Sequence, residues 1–200
     1  MKDEFVKRSL KCEVRAEKTE NKYTIKGLPI VFNSETDLGP FREKIASGAL
    51  DKTDLKDVRF LVNHDLSKIP LARSRNNNAN STMRLKVTER GLEIEADLDV
   101  ENNSEARSLY SAVERGDISG MSFMFSIRGY EWTDVDTDSP LRTITDISQV
   151  VEVSAVTLPA YESTEISARD KTALDSAKAS LDSERQKREL ELLKEKAKWL

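Results

Sequence analysis

Residues 116–128 read GDISGMSFMFSIR, and this stretch carries the clearest indication of fold and chemistry in the chain. Its large apolar side chains recur at every second position: Met121, Phe123, Phe125 and Ile127. Period two is typical of a β-strand that buries one face, and it sends Ser122 to the opposite face. A hydroxyl held on a rigid strand is a candidate nucleophile, although most strand serines only satisfy local hydrogen bonds.

The composition fits one globular domain with a polar extension, because 38% of the 200 residues are hydrophobic and 34% are charged. The formal net charge of −4 disfavours a nucleic-acid-binding protein, which normally carries a basic surplus. No run of about 18 apolar residues is present, and the first residues lack the apolar core of a signal peptide. We therefore expect a cytosolic protein that binds neither nucleic acid nor membrane.

Reactive side chains are few in this sequence. The single cysteine, Cys12, excludes an internal disulfide framework, and the single histidine, His64, excludes a metal site built on two histidines or on a cysteine cluster. A carboxylate-only magnesium or calcium site stays open. No cofactor motif is present, so we expect no cofactor and no metal. Any histidine-dependent chemistry must use His64.

Alternating apolar residues predict strands at 9–16, 23–32, 58–65, 83–87, 92–98 and 141–157. Cys12 falls on the apolar face of the first strand, where it is most simply a small core residue. His64 falls at the end of the third strand, on the face shared by Val58, Phe60 and Val62. The rim of a sheet is a position where a general base can be displayed on a rigid support.

Other stretches predict turns and helices. Residues 88–91 predict a hairpin turn between two of these strands. Residues 41–50 predict a short helix or turn that ends near Gly48. Residues 104–115 have the spacing of a helix that ends at Gly116 and packs its apolar face on the sheet.

The composition changes after Asp170, where Gly and Pro are absent and Ala, Lys, Glu, Ser and Leu dominate. Leucines at interrupted helical spacing predict a solvated helix, a weak coiled coil, or a disordered arm that becomes helical on binding. We therefore divide the chain into a globular domain at residues 1–168 and a charged, helical or disordered tail at residues 169–200.

Three residues on different predicted strands form a candidate catalytic triad. A serine nucleophile needs a base whose tautomer a third group fixes, and Ser122, His64 and Glu152 suit these roles. Glu152 interrupts an apolar run, where an unpaired carboxylate would cost several kcal/mol, so it needs a donor partner or a wet cleft unless it lies on a solvent face. Met124 replaces the second glycine of a nucleophile elbow, which disfavours an α/β-hydrolase.

Four ordered blocks form a more specific pattern: residues 41–50, 61–65, 115–123 and 152–161. In this order they resemble the tailed-bacteriophage prohead maturation protease family, lambdoid type, over residues 5–165. That family is similar to the herpesvirus assembly protease. The resemblance implies an α+β, mainly β fold: a small closed or nearly closed β-barrel of about six to eight mostly antiparallel strands with packed helices.

The resemblance also implies the site residues. His64 lies in the Asn-His-Asp block of the base, and Ser122 lies in the Gly-Met-Ser-Phe block of the nucleophile. The herpesvirus enzyme uses a second histidine as third member, which this chain lacks, so Glu152 takes that place with Asp146 as runner-up. Asp65 is too constrained by its position beside His64 to be preferred.

The implied function is a serine endopeptidase that cuts the scaffolding region of the major capsid protein, and itself, inside the assembling prohead in the host cytoplasm. The implied partners are the capsid protein and a second copy of the chain, as substrate or in a homodimer. The oxyanion donors stay open between backbone amides near Ser122, the loop at residues 159–163, and Arg169.

Three other functions stay open from the residues alone. One is a catalytically silent capsid assembly or scaffold module with a coiled-coil tail. Another is an esterase that uses the same three residues on small acyl substrates. The last is a cysteine hydrolase built on Cys12 and His64, which the core-facing phase of Cys12 disfavours.

Overall fold

The strand predicted around Ser122 forms the centre of the larger of two β-sheets. The computed structural model describes residues 5–20, 22–157 and 168–197. Within these ranges the central strand runs from Gly120 to Thr133 and pairs with a second long strand, Leu141–Val156. Irregularities in their register between Met124 and Tyr130 interrupt the ladder in its middle.

The described residues form eleven strands and two helices, labelled here in chain order. Seven strands belong to the larger sheet: β1 (Phe5–Lys11), β4 (Thr36–Asp37), β5 (Arg42–Ile45), β6 (Asp57–Val62), β7 (Ala72–Arg75), β10 (Gly120–Thr133) and β11 (Leu141–Val156). Four strands belong to the smaller sheet: β2 (Val14–Thr19), β3 (Lys22–Val31), β8 (Met83–Thr88) and β9 (Gly91–Leu98). The helices are α1 (Ser104–Glu114) and α2 (Ala168–Ala197).

The long strand β11 organises the larger sheet, because it pairs with three other strands. It is antiparallel to β10 along one edge, whereas its other edge pairs in parallel with β5 near Leu141 and with β6 near Glu152. β1 adds to the free edge of β10, and β7 pairs with β6. Consequently β1, β10, β11 and β6 lie side by side where the predicted site residues occur.

The apolar face of β10 packs into the main hydrophobic core. Met121, Phe123 and Phe125 are fully buried there, together with side chains of the smaller sheet such as Ile25 and Ile94. Burying one such side chain contributes about 1.5–3 kcal/mol. The prediction that only one face is buried is wrong, because Ser122 and Ser126 on the opposite face are buried as well. The sheets approach closely enough that an added Cβ at residue 27, a glycine, would collide with the side chain of Met121.

The predicted hairpin and first helix are confirmed. β8 and β9 are antiparallel neighbours joined at the predicted turn. The side chain of Asn103 accepts hydrogen bonds from the first backbone amides of α1, and Gly116 follows the helix with a φ of +80°. α1 buries Leu109 and Tyr110 in the core.

The predicted tail forms helix α2, whose buried residues lie in its first turns, and further along Arg185 forms an exposed ion pair with Asp136 at 2.7 Å. Asp170 and Leu174 are buried, and Leu174 packs with Leu38 and Phe41 in a small second core. The leucines near the end of the helix are exposed to solvent. Among the described residues no helix is both long enough and apolar enough to cross a bilayer.

Two local predictions are wrong in part. The predicted turn is found at residues 47–50, where Gly48 has a positive φ, but residues 42–45 form strand β5 because they pair with β11 and bury Ile45. The strand predicted at 9–16 is divided between β1 and β2, since the chain passes from the larger to the smaller sheet at Cys12. A helical or strand pattern in a short segment does not reveal which sheet its backbone joins.

The mainly β, α+β class is confirmed, whereas a closed barrel is not formed by the described residues. The larger sheet runs in the order β1-β10-β11-β5-β4 with β6 and β7 attached, and the smaller in the order β2-β3-β9-β8, so neither returns to its first strand. The strands number eleven in these residues rather than about six to eight. Most pairs are antiparallel, as predicted, and the two parallel pairs both involve β11.

Candidate active site

The three predicted triad residues lie on neighbouring segments of the larger sheet. Ser122 is on β10, Glu152 is on β11, and His64 lies in the turn that follows β6. The register explains their proximity, since Ser122 is directly opposite Ser154 of β11 and β6 pairs with the same part of β11. Residues two apart on a strand share a face, so Glu152 and Ser154 lie on the face of Ser122.

A continuous hydrogen-bonded path joins Ser122, His64 and Glu152. The distance from His64 Nε2 to Ser122 Oγ is 2.5 Å, and the distance from His64 Nδ1 to Glu152 Oε1 is also 2.5 Å. When Nδ1 carries the proton, it donates to the carboxylate and leaves Nε2 as an acceptor for the serine hydroxyl. A hydroxyl, a base and an orienting acid are therefore in the order that nucleophilic catalysis requires.

His64 is held by a turn rather than by the strand on which it was predicted. β6 ends at Val62, and Asn63 and His64 have positive φ angles of 51° and 58°. Non-glycine residues rarely adopt this left-handed region, so neighbouring groups must hold them there. The Asn63 amide donates to the Ala155 carbonyl at 3.0 Å, and Asn63 Oδ1 accepts from the Thr157 amide at 3.0 Å. The turn directs the imidazole toward β11.

Ser154 connects the base and the acid, and the sequence reasoning missed it. Its hydroxyl donates to Glu152 Oε2 at 2.6 Å and accepts from the backbone amide of His64 at 3.0 Å. One side chain therefore fixes both the carboxylate and the turn. The available signal was parity, because Ser154 follows Glu152 by two residues on the same predicted strand.

Ser9 contacts the candidate nucleophile and was also missed. It lies opposite Ser122 in the pairing of β1 with β10, and its hydroxyl donates to Ser122 Oγ at 2.9 Å. Ser122 Oγ also lies 2.8 Å from the carbonyl oxygen of Arg8. The single hydroxyl proton thus has two acceptors within reach, the Arg8 carbonyl and His64 Nε2. No sequence signal links Ser9 to a strand more than a hundred residues away.

Glu152 is fully buried, with 0% of its surface exposed. The prediction that it needs a donor partner is confirmed, because one carboxylate oxygen contacts His64 and the other accepts from Ser154. The alternative position on a solvent face is wrong. Hydrogen bonds to both oxygens offset much of the cost of removing a carboxylate from water.

The other acidic candidates contact different partners. Asp146 faces Arg128, at 3.4 Å between Oδ2 and Nη1. Asp65 accepts hydrogen bonds from the amide and hydroxyl of Ser67, and these hold the pKa of its carboxyl below the usual range.

Two of the predicted oxyanion donors, the loop at 159–163 and the side chain of Arg169, lie outside the described residues.

Cys12 is not poised as a nucleophile. The residue packs partly buried against the main core, and this burial raises the pKa of its thiol to about 11. A thiol of this kind is protonated near neutral pH, whereas the thiolate is the reactive form. In the part of the chain that the structure describes, no three His, Cys, Asp or Glu side chains are grouped as metal ligands.

The chain was compared with known proteins, and one family model matches it. The solved structure of the capsid assembly protease of bacteriophage T4 is similar to this chain with a TM-score of 0.44 and 11% sequence identity, over 78% of this chain and 98% of that one. None of the curated proteins compared with the sequence matches it. Residues 10–179 match the caudovirus prohead serine protease family, as the four sequence blocks predicted, and the chain therefore belongs to this family of serine proteases.

Proposed function

We propose that the chain is a prohead maturation endopeptidase in which Ser122 is the nucleophile, His64 the general base and Glu152 the acid that orients it. The single observation that supports these roles best is the path of two 2.5 Å contacts from Ser122 Oγ through the imidazole to Glu152. Family membership supports the reaction class, and the geometry supports the residues.

The first chemical step is acylation of Ser122. His64 Nε2 takes the hydroxyl proton while Oγ forms a bond to the scissile carbonyl carbon, and the carbonyl π electrons move to its oxygen. Glu152 stabilises the resulting imidazolium through Nδ1. Nε2 then gives the proton to the amide nitrogen, the oxyanion re-forms the carbonyl as the C–N bond breaks, and the amine product departs while the acyl group remains on Ser122 as an ester.

In deacylation a water molecule takes the place of the serine hydroxyl as the nucleophile. His64 removes a proton from a water molecule that attacks the ester carbonyl, and the same proton returns to Ser122 Oγ as the C–O bond to the enzyme breaks. The products are a free carboxylic acid and an unchanged serine. The chemistry therefore needs no cofactor.

The hydroxyls on either side of the triad have separate roles in this proposal. Ser154 fixes the rotamer of Glu152 and the turn at His64, so it is a positioning residue. The hydrogen bond from Ser9 occupies one lone pair of Ser122 Oγ, and the other lone pair is free to attack the substrate. This arrangement requires that the Ser122 proton points to His64 Nε2 rather than to the Arg8 carbonyl. Rotation about one C–O bond selects between these two acceptors.

The proposed substrate is the scaffolding region of the major capsid protein, together with the protease itself, and the proposed place is the prohead in the host cytoplasm. Membership of the caudovirus prohead serine protease family supports a role in the prohead, and the finer details follow from the resemblance of the sequence blocks. We assign catalysis to residues 1–168 and docking on capsid or scaffold to the tail at 169–200. The tail suits docking because α2 presents a long, exposed, charged surface beyond its first turns. A homodimer is the proposed assembly of the free enzyme.

Intact-mass spectrometry tests the proposal directly. Wild type and Ser122→Ala are incubated alone and with assembled capsid precursor. We expect wild type to shorten itself or the precursor and Ser122→Ala to do neither. If both proteins stay whole while shells still mature, the chain is a silent assembly module and the proposal fails.

A further inference from the structure

A groove lies beside His64, between the turn after β6 and helix α1. It encloses about 490 Å³. We call it the α1 groove and define it by six of its lining residues: Asn63, Asp65, Ile69, Ser108, Leu109 and Ile118. A volume of this order accommodates one or two side chains of a peptide, within the usual range for ligand sites.

The walls of the α1 groove are mainly apolar. Leu109 and Ile118 are buried at its base, with 4% and 7% of their surfaces exposed, whereas Ile69 at its edge is 83% exposed. Lys68 and Glu105 form an exposed ion pair of 2.6 Å that joins the turn to α1. Covering such water-accessible apolar surface with another apolar group lowers the free energy of the system.

The α1 groove adjoins the proposed catalytic centre, because its lining residue Leu61 pairs with Ser154 and Ser154 pairs with Ser122 on the next strand. Asn63 and Asp65, which line it, are the immediate neighbours of His64, and Ile118 precedes Ser122 by only four residues. An extended peptide advances about 3.3 Å per residue. Neighbouring strands lie about 4.8 Å apart, so Leu61 is about 10 Å from Ser122, and a polypeptide cut at Ser122 reaches the groove with a residue about three positions from the scissile bond.

We infer that the α1 groove is a subsite that binds an apolar side chain of the polypeptide substrate at one fixed position near the scissile bond. The inference rests on the proposed function, because it takes Ser122 and His64 as the point where the substrate is cut. It commits the groove to substrate rather than to a second copy of the chain. The consequence is sequence preference: cleavage selects an aliphatic or aromatic residue at that position and disfavours a charged one.

A defined peptide library with mass-spectrometric identification of cleavage sites tests the inference. Ser108 is exposed on α1 within the groove, so Ser108→Trp fills the space without removing a core contact. Glu114→Trp, exposed on the same helix but outside the groove lining, is the matched control. Wild type and control should enrich apolar residues at one position, and Ser108→Trp should lose that enrichment and cleave about tenfold or more slowly.

Labelling with a fluorophosphonate separates failure of the inference from failure of the proposed function. The reagent reports whether Ser122 is an activated nucleophile, independently of peptide binding. Absence of labelling at Ser122 in wild type overturns the proposed function. Equal labelling in all three proteins, with unchanged peptide preference and rate in Ser108→Trp, overturns the subsite alone. A change of oligomeric state in Ser108→Trp, measured by light scattering, assigns the groove to a second copy and also overturns it.

Discussion

The larger sheet carries two buried polar clusters, and they differ in how their charges are compensated. The catalytic cluster consists of Ser122, His64, Glu152 and Ser154. The ionic cluster consists of Arg8, Glu43, Arg142 and Asp170, which join β1, β5, β11 and α2. All of these side chains are buried except that of His64, which is 12% exposed.

The ionic cluster pairs two positive with two negative charges. Each guanidinium contacts both carboxylates, with 2.6 Å from Arg8 Nε to Glu43 Oε1 and 2.6 Å from Arg142 Nη1 to Asp170 Oδ1. Burial alone lowers the pKa of Arg8, but the attraction of Glu43 and Asp170 outweighs it and raises that pKa above its usual value. Because each charge in the ionic cluster is compensated by a permanent partner, the cluster holds β1, β5, β11 and α2 together.

The catalytic cluster holds one carboxylate and no permanent cation. Glu152 is balanced by hydrogen bonds from His64 and Ser154, both neutral when the base is ready to act. In the proposed mechanism His64 accepts the serine proton and becomes the cation that the carboxylate lacks. The difference between the clusters teaches that a buried acid becomes useful for catalysis when its counter-charge arrives only during the reaction.

Removing the nucleophile should give the largest effect. Ser122→Ala is expected to lower cleavage of capsid precursor by about 10⁴-fold or more, because no other group forms the acyl-enzyme. The midpoint of thermal unfolding should stay close to that of wild type. Ser126→Ala is the matched control, since Ser126 lies on the same strand and is equally buried. Comparable losses in both variants would show a defect in folding rather than in chemistry.

Neutralising the acid should give the next largest effect. Glu152→Gln keeps the shape but offers no charge to the imidazolium, and an amide in this position favours the wrong tautomer, so kcat should fall by about 10²–10⁴-fold. Asp146→Asn is the control and should keep nearly full activity, because Asp146 contacts Arg128. The reverse ranking would make Asp146 the third member of the triad.

Substitution in the ionic cluster should lower the stability of the fold. Glu43→Gln leaves two buried guanidinium groups facing one carboxylate, so the free energy of unfolding in urea should fall by about 3–5 kcal/mol. Glu13→Gln removes an exposed partner of Arg90 and should cost less than about 1 kcal/mol. A Glu43→Gln protein as stable as wild type would contradict the proposed role of charge compensation.

Ser154 should show a smaller effect with a distinctive signature. Ser154→Ala removes a donor to Glu152 and an acceptor for the His64 amide, which should lower kcat/KM by about 10–100-fold. The acid limb of the pH–rate profile should move to higher pH, since the carboxylate then holds the imidazolium proton more strongly. Ser154→Thr keeps the hydroxyl and should restore the profile. An unchanged profile in the alanine variant would reduce Ser154 to a packing residue.

Cys12 should show almost no effect. Its pKa of about 11 leaves the thiol protonated at pH 8, so iodoacetamide should not modify it in the folded protein. Thiolate forms only as the pH rises toward that value, or when the chain unfolds. Cys12→Ser should retain cleavage activity; loss of activity would return the cysteine hydrolase to consideration.

Local patterns predicted much of the fold. Period two predicted β10 and the hairpin β8–β9, and helical spacing predicted α1, because these elements depend on near neighbours and one apolar face. Strand β5 within the segment at 41–50 was missed because its pairing partner, β11, lies about a hundred residues later. The closed barrel came from the resemblance and was not found in the described residues.

The site shows the same limit. The sequence predicted that Ser122, His64 and Glu152 act together, and the structure brings them together, while their catalytic roles stay a prediction. The left-handed turn at His64 was not predictable, because contacts with Ala155 and Thr157 hold it there. Ser9, Ser154 and the ionic cluster depend on register between distant strands, which composition and spacing do not contain.

Arg8 contacts both clusters, since its side chain joins Asp170 of the ionic cluster, 162 positions later in the sequence, and its carbonyl contacts Ser122 of the catalytic cluster. β1 is synthesised well before these two partners, because 114 residues separate Arg8 from Ser122 and 162 separate it from Asp170. At about 5–20 residues per second, the interval between them is many seconds. A nascent chain therefore lacks the complete candidate site until Glu152 and Ser154 have been made, and the order of synthesis itself delays the appearance of proteolytic activity.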